Sequence, residues 1–210
     1  MNQNNVGVLV HQGYFYIALT FVPLAISMLF DFPTLISLLF LGLFGVVVYF
    51  FRNPEREVNN QGEETILSPI DGIIRDIEHD DDSVTIVIEN RVQDTHLIRS
   101  AIGAKINSIE TKHGLFSSSE NSVVNHLNER ATLIQTVEDS TITYELYYSL
   151  IPLRSNFYLQ ANETVALGSR IGFIGSGIVR LKLPHNSEIQ CNVGREVSAS
   201  ESLIGFLKNG

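Results

Sequence analysis

Two long apolar runs stand near the start of the chain. They cover residues 14–30 and 34–51, with Asp31-Phe32-Pro33 between them. Each run is about as long as a helix that crosses a bilayer core, at the short end of that range. Neither run has a polar face, which disfavours the alternative of a helix pair packed in a soluble core. The pattern predicts an N-terminal membrane helical hairpin and leaves open whether its helices span the bilayer or form a re-entrant wedge.

Beyond a polar linker at residues 57–63, short apolar runs of β type follow, many of them alternating with polar residues. That period is typical of β-strands, and residues 131–137 and 141–148 make a clear hairpin around Glu138-Asp139-Ser140. No long helical period and no internal repeat is evident after residue 56. The sequence therefore predicts a membrane-anchoring hairpin over 1–56 and a mainly β domain over 57–210, folded as a barrel or as packed sheets.

Charge is unevenly distributed between these two parts. The net charge is −9, and residues 1–56 hold equal numbers of acids and bases, so the excess lies in residues 57–210. An acidic domain is a poor partner for nucleic acid and for anionic lipid headgroups. Arg52 and Arg56 follow the second apolar run, whereas residues 1–13 contain no Lys or Arg. The positive-inside rule then predicts a membrane-associated protein with the β domain on the cytoplasmic face.

The cysteine and histidine content limits the disulfides and metal sites that the chain can form. Cys191 is the single cysteine, so no internal disulfide and no cysteine cluster for zinc can form. His96 has no second histidine or carboxylate at metal-ligand spacing, which disfavours a metal site.

Three residues on separate loops are candidates for catalysis. Ser176 lies between Gly175 and Gly177, and flanking glycines let other backbone approach a serine. Asp71 ends the turn Ser68-Pro69-Ile70-Asp71-Gly72, and His96 precedes an apolar run. A serine, a histidine and an aspartate can serve as nucleophile, base and orienting group. The residues alone leave other roles open: a tight turn at Ser176, a turn cap at Asp71 and a packed or surface histidine.

Short motifs in order along the chain carry a resemblance to the short-form phosphatidylserine decarboxylases. These are Gln12-Gly13-Tyr14, Phe50-Phe51-Arg52-Asn53-Pro54-Glu55-Arg56, Ser68-Pro69-Ile70-Asp71-Gly72, Asp94-Thr95-His96 with Arg99, Gly114-Leu115-Phe116, Asn128-Glu129-Arg130 and Gly175-Ser176. The chain departs from the family pattern at three places. Ile70 replaces a small residue, Gly177 replaces a larger side chain, and residues 149–157 lack an expected Gly-x-x-Ala-Arg-Arg pattern.

The resemblance implies an enzyme that makes its own pyruvoyl cofactor. Ser176 would attack the carbonyl of Gly175, with His96 as base and Asp71 holding the imidazole in its tautomer. The chain would split into residues 1–175 and 176–210, and position 176 would become the pyruvoyl group. The cleaved enzyme would decarboxylate phosphatidylserine, or a related serine phospholipid, to phosphatidylethanolamine. Its partners would be the membrane, the lipid substrate and its own second piece, with no nucleic acid; the oligomeric state stays open, a homo-oligomer included.

A non-catalytic alternative also fits part of the chain. Residues 165–172 resemble the turns of biotinyl and lipoyl carrier barrels, which would make this a membrane-anchored β scaffold. Such carriers are modified on an exposed lysine at a hairpin tip, whereas Lys182 lies inside a strand pattern. Cleavage of the chain distinguishes the two hypotheses, because a scaffold would remain one piece.

Overall fold

The computed structural model describes residues 7–62, 64–112, 114, 130–138, 140–148, 153 and 156–208. The chain forms two compact units, Met1–Glu55 and Arg56–Gly210.

The first unit is a helical hairpin. After a short 3-10 helix at His11–Gly13, α1 (Tyr14–Leu29) and α2 (Thr34–Phe50) run side by side, and the rings of Phe21 and Phe44 lie 5.8 Å apart between them. Most of the large apolar side chains of both helices are exposed. The helical stretch His11–Leu29 is long and apolar enough to cross a membrane, and α2 is apolar but shorter.

The segment before α1 contacts the segment after α2. Val10 N–H donates to Phe51 O at 2.9 Å, and Asn53 N–H donates to Val8 O at 2.8 Å. The Phe51 ring occupies the space where a Cβ at Gly13 would lie. Two motifs that are distant in sequence, the early Gly-aromatic pair and the Phe-Arg-Asn-Pro segment, therefore meet at the open end of the hairpin.

The second unit consists mainly of strands, which confirms the predicted fold class. The strands are β1 (Thr65–Leu67), β2 (Gly72–His79), β3 (Ser83–Asn90), β4 (Leu97–Arg99), β5 (Ala104–Lys112), β6 (Arg130–Val137), β7 (Ser140–Tyr148), β8 (Asn156–Phe157), β9 (Thr164–Val165), β10 (Arg170–Phe173), β11 (Gly177–Pro184), β12 (Glu188–Ile189), β13 (Glu196–Val197) and β14 (Leu203–Phe206). The described strands form antiparallel sheets with the orders β1-β14-β12, β4-β10-β8 and β13-β2-β3-β11-β7-β6-β5-β9. These open sheets do not close a barrel.

Alternation along the strands builds one apolar core between the sheets. In β11, every second residue from Gly177 is buried, as a strand with one core-facing side requires. A polar network lies within this core: the Tyr144 hydroxyl donates to Gln135 Oε1 at 2.8 Å and accepts from Ala101 N–H at 2.9 Å. Burying these polar groups is tolerable because each has a partner.

The sheets repeat one arrangement twice. Counted inward from one end, the large sheet has β13, β2, β3 and β11; counted inward from the other end, it has β9, β5, β6 and β7 at the equivalent positions. The small sheet β1-β14-β12 is likewise equivalent to the small sheet β4-β10-β8. The two halves are thus related by a pseudo-two-fold axis that passes between β11 and β7. A bulge between Ile74 and Asp76 in β2 recurs between Ile106 and Ser108 in β5.

Backbone details repeat as well. Leu67 N–H donates to Ala101 O, and its counterpart Arg99 N–H donates to Pro69 O, both at 2.8 Å. The two turns that follow these strands are alike, because Ser68 Oγ donates to Ile70 O and Ser100 Oγ to Ile102 O, both at 2.7 Å. Because of this duplication, residues at equivalent positions of the two halves can be compared. Features that both halves share belong to the common fold.

Candidate active site

The Asp71 carboxylate is fixed at the turn between β1 and β2. Oδ1 accepts from the backbone N–H of Ala199 at 2.7 Å, and Oδ2 accepts from Arg56 Nη2 at 2.7 Å. Arg56 uses its other terminal nitrogen for Glu201. The carboxylate is therefore held by a loop and an arginine that lie far away in sequence, and neither belongs to its own turn.

The His96 imidazole is buried where the chain enters β4. Its Nδ1 lies 2.9 Å from Asn90 Oδ1, and its Nε2 lies 3.2 Å from the carbonyl oxygen of Val92. The ring also makes an edge contact with Phe173, with 6.1 Å between the ring centroids. The predicted role of Asp71 in orienting the imidazole stays a prediction. Among the described contacts, Nδ1 faces the Asn90 amide oxygen, and the Asp71 carboxylate bonds Arg56 and Ala199.

Asn90, at the last position of β3, connects the two sequence-predicted residues. Its Nδ2 donates to the backbone carbonyls of Asp71 at 2.9 Å and of Thr95 at 3.0 Å. Since both amide hydrogens are engaged by carbonyls, Oδ1 is the atom left for His96. Sequence reasoning missed this residue, because an asparagine at a strand end carries no local signal of a bond across two loops.

Ser176 occupies the corner between β10 and β11 and is 3% exposed. On one side of it, Ile174 N–H donates to His96 O at 2.9 Å. On the other side, Gly177 pairs with Asn90 in the β3–β11 ladder. The sequence-predicted serine and histidine are thus brought to adjacent strand ends, with Asn90 between them.

Gly177, which follows Ser176, has an unusual backbone conformation. Its φ is +151°, a region that residues with a side chain rarely adopt. A side chain at position 177 would therefore strain the backbone beside Ser176 in this structure.

Ion pairs of Arg91 hold the loop between β3 and β4 in place. Arg91 bonds both carboxylate oxygens of Asp94 at 2.9 Å and reaches Glu196 at 3.0 Å. The hydrogen bond to Asp94 is the main cause that raises the pKa of the Arg91 guanidinium. This clamp fixes the loop that carries the Val92 carbonyl and Thr95. The Thr95 hydroxyl is buried without a hydrogen-bond partner among the described residues.

Arg99, the last residue of the Asp-x-His-x-x-Arg motif, is buried and supports the framework. Its side chain donates to Gly168 O at 3.2 Å. Other motif residues, Leu115, Phe116, Asn128 and Glu129, lie outside the described residues, as does most of the stretch 149–157.

Comparison with known proteins identifies the family of the chain. The family model described as phosphatidylserine decarboxylase matches residues 43–205. Curated relatives named phosphatidylserine decarboxylase proenzyme include one from Desulfotalea psychrophila, 31% identical over 81% of this chain and 84% of the relative. Those from Ehrlichia chaffeensis and Burkholderia vietnamiensis are 30% and 32% identical, over 94% and 77% of this chain and 91% and 79% of the relatives. No solved structure matches the chain. The chain belongs to the phosphatidylserine decarboxylase family.

Proposed function

We propose that this protein is a membrane-anchored proenzyme that cleaves itself between Gly175 and Ser176 and then decarboxylates phosphatidylserine. The observation that carries the proposal is the position of Ser176. It lies at a buried corner whose two flanking segments are bonded to His96 and to Asn90. This arrangement supports the roles of nucleophile for Ser176, base for His96 and orienting group for Asn90.

The proposed self-cleavage has three steps. The Ser176 hydroxyl attacks the carbonyl carbon of Gly175 and gives its proton to Nε2 of His96. The peptide C–N bond then breaks, the nitrogen takes a proton, and an ester joins Gly175 to the serine oxygen. Loss of the Cα proton and of the Gly175 carboxylate eliminates the ester, and hydrolysis of the resulting dehydroalanine releases ammonia and leaves a pyruvoyl group.

The environment of position 176 fits such a group. Position 176 is buried, and the Gly177 backbone behind it is paired with β3 on one side and with β7 on the other. A pyruvoyl carbonyl supplies an electron sink for the electrons left by CO₂ loss. His96 is the residue whose Nε2 could hold or deliver a proton there, and the Val92 carbonyl can accept from Nε2 once it is protonated.

The two pieces would stay together after cleavage. The piece 176–210 contains β11 to β14, and β11 pairs with β3 and β7 of the larger piece. β13 pairs with β2 and β14 with β1. These ladders and the apolar side chains of β11 in the core hold the pieces without a covalent bond.

Anchoring suits a lipid substrate. The diacyl chains of such a substrate remain in the bilayer, and the exposed apolar hairpin of the first unit would hold the enzyme at that surface. Arg52, immediately after α2, favours the cytoplasmic side by the positive-inside rule.

The carrier-like scaffold is less well supported. Lys182, the lysine considered for it, lies in the middle of β11 between Thr85 and Thr143 and not at a hairpin tip.

The test is decarboxylation by the purified full-length protein in mixed micelles of detergent and phosphatidylserine. Wild-type protein is expected to release CO₂ and form phosphatidylethanolamine, and Ser176→Ala is expected to do neither. Ser169→Ala is the matched control, because Ser169 also follows a glycine but leads into a strand. Equal activity of wild type and Ser176→Ala would rule out the proposal.

A further inference from the structure

The internal duplication gives Asp71, Asn90, His96 and Ala199 counterparts in the other half. Ile174 N–H donates to His96 O, and the equivalent bond runs from Leu207 N–H to Glu64 O. His96 therefore corresponds to Glu64. By the matching ladders, Asp71 corresponds to Gly103 and Ala199 to Leu167.

Asn90 has an equally clear counterpart in Val137. Ile74 pairs with Ile88 in one half and Ile106 with Gln135 in the other. Two residues further along, β3 ends at Asn90 opposite Gly177, and β6 ends at Val137 opposite Ser140. The ladder thus accepts an apolar β-branched residue at this position, so the framework itself does not require the Asn90 amide.

The counterpart residues line an open cleft, and their side chains differ in type from those of the candidate active site. Glu64, Gly103, Val137 and Leu167 all border it. At the three equivalent positions, His96, Asp71 and Asn90 of one half are replaced by Glu64, Gly103 and Val137 in the other.

We propose that Asn90 is the positioning residue for His96, taking the place that a triad would give to the Asp71 carboxylate. This inference rests on the proposed self-cleavage. The amide donates twice to backbone carbonyls, so its oxygen faces Nδ1 and keeps the proton on that nitrogen. Nε2 also faces an oxygen, the Val92 carbonyl at 3.2 Å, but the contact of Nδ1 with Asn90 is the shorter at 2.9 Å. A proton kept on Nδ1 leaves Nε2 able to accept the serine proton. Asp71 takes part through its backbone carbonyl, which helps to orient the amide, while its carboxylate secures the Ala199 loop.

The test compares Asn90→Val with Asn90→Asp in the full-length chain. Protein made by cell-free translation with membrane vesicles is pulse-labelled, and the rate of self-cleavage is followed on denaturing gels from pH 5.5 to pH 9. We expect Asn90→Val to cleave about 10- to 100-fold more slowly. Asn90→Asp retains an acceptor oxygen, so it is expected to cleave faster than Asn90→Val. The pH profile of cleavage by Asn90→Asp should be shifted to higher pH than that of the wild type, because the introduced carboxylate stabilises the protonated form of His96.

Val137→Ala is the matched control, since it alters the equivalent ladder position away from the imidazole, and it should keep the wild-type rate. A second measurement is independent of cleavage. In the uncleavable Ser176→Ala chain, ¹⁵N NMR of labelled histidine is expected to show His96 protonated on Nδ1, and Asn90→Val should convert it to a mixture of tautomers. Thermal melting in the same background checks that each variant is folded.

The outcomes separate the two proposals. An uncleaved wild-type chain contradicts the proposed function, and the NMR measurement then still decides the role of Asn90. A wild type that cleaves, together with an Asn90→Val variant that cleaves at the same rate and with the same pH profile, overturns the role of Asn90 alone. An unchanged tautomer in folded Asn90→Val overturns it as well.

Discussion

Gly177 stands directly opposite Asn90 in the β3–β11 ladder, one residue after Ser176. The pairing places the Gly175-Ser176 bond, the proposed cleavage site, near the strand end whose amide oxygen lies 2.9 Å from His96 Nδ1. One pair of strands therefore holds Asn90 and the proposed cleavage site in register.

His96→Ala and Asp71→Ala are expected to slow self-cleavage to different degrees. Removing the imidazole removes the base, which is expected to cost at least about 100-fold in rate. Asp71→Ala should cost less, because the backbone carbonyl of residue 71 still accepts from Asn90. Pulse-labelled protein on denaturing gels measures both rates. Asp76→Ala, an exposed aspartate on the following strand, is the control. Maturation of both variants at the control's rate would exclude them from the processing machinery.

Arg56→Met is expected to destabilise the second unit. The change leaves the largely buried Asp71 carboxylate without its charged partner, which costs about 1–3 kcal/mol. For a chain of this size that loss lowers the melting temperature by roughly 2–12 °C, which differential scanning calorimetry in detergent can measure. Arg75→Met removes an exposed ion pair with Glu89 and should change the melting temperature little. A larger effect at Arg75 than at Arg56 would contradict the anchoring role of Arg56.

Stability is expected to fall as pH rises above about 10, the ordinary pKa of a tyrosine. Burial raises the pKa of Tyr144, so the folded chain keeps the phenol proton after the unfolded chain has lost it. The unfolded state then binds fewer protons, and stability decreases with pH. Tyr144→Phe should make this decrease shallower. It should also cost about 1–3 kcal/mol at neutral pH, because Gln135 Oε1 and the Ala101 N–H lose their bonds to the hydroxyl. Melting temperatures between pH 8 and pH 11 test this. Tyr147→Phe is the comparison and should have a smaller effect, because burial raises the pKa of that phenol too but the side chain is only half-buried; an unaltered pH dependence in Tyr144→Phe would argue against the prediction.

Membrane attachment is expected to depend on the hairpin alone. Deleting residues 1–51 should release a soluble β unit, because the exposed apolar surface of α1 and α2 is then gone. High salt should not extract the full-length protein, since its acidic second unit gains nothing from membrane charge. Fractionation by ultracentrifugation measures both. Release of the intact protein by salt would show that the hairpin does not insert.

The sequence predicted the elements whose signal is local. The apolar runs at 14–30 and 34–51 became α1 and α2, and the period-two stretches became strands, because burial on one face imposes that alternation. The structure also brings Ser176 and His96 to adjacent strand ends, as a catalytic pair requires. Their roles remain predictions.

Long-range relationships could not be obtained in the same way. The two halves have little sequence similarity that would reveal the duplication. The equivalent turns have in common only apolar residues and serines, such as Ile66 with Ile98 and Ser68 with Ser100. Asn90 was missed, and the bonds of the Asp71 carboxylate to Arg56 and Ala199 were not predicted, because both depend on which loops meet across the sheets. No spacing within a single segment encodes that the Arg56 side chain reaches Asp71.

Intact mass under denaturing conditions tests the central claim most directly. The purified wild-type protein should give two masses, one for residues 1–175 and one for residues 176–210. The smaller should be lighter than its encoded peptide by one ammonia and should have no free amino terminus. Ser176→Ala should give the single encoded mass. A wild-type protein with the single encoded mass would contradict self-cleavage at Gly175-Ser176, and with it the pyruvoyl enzyme.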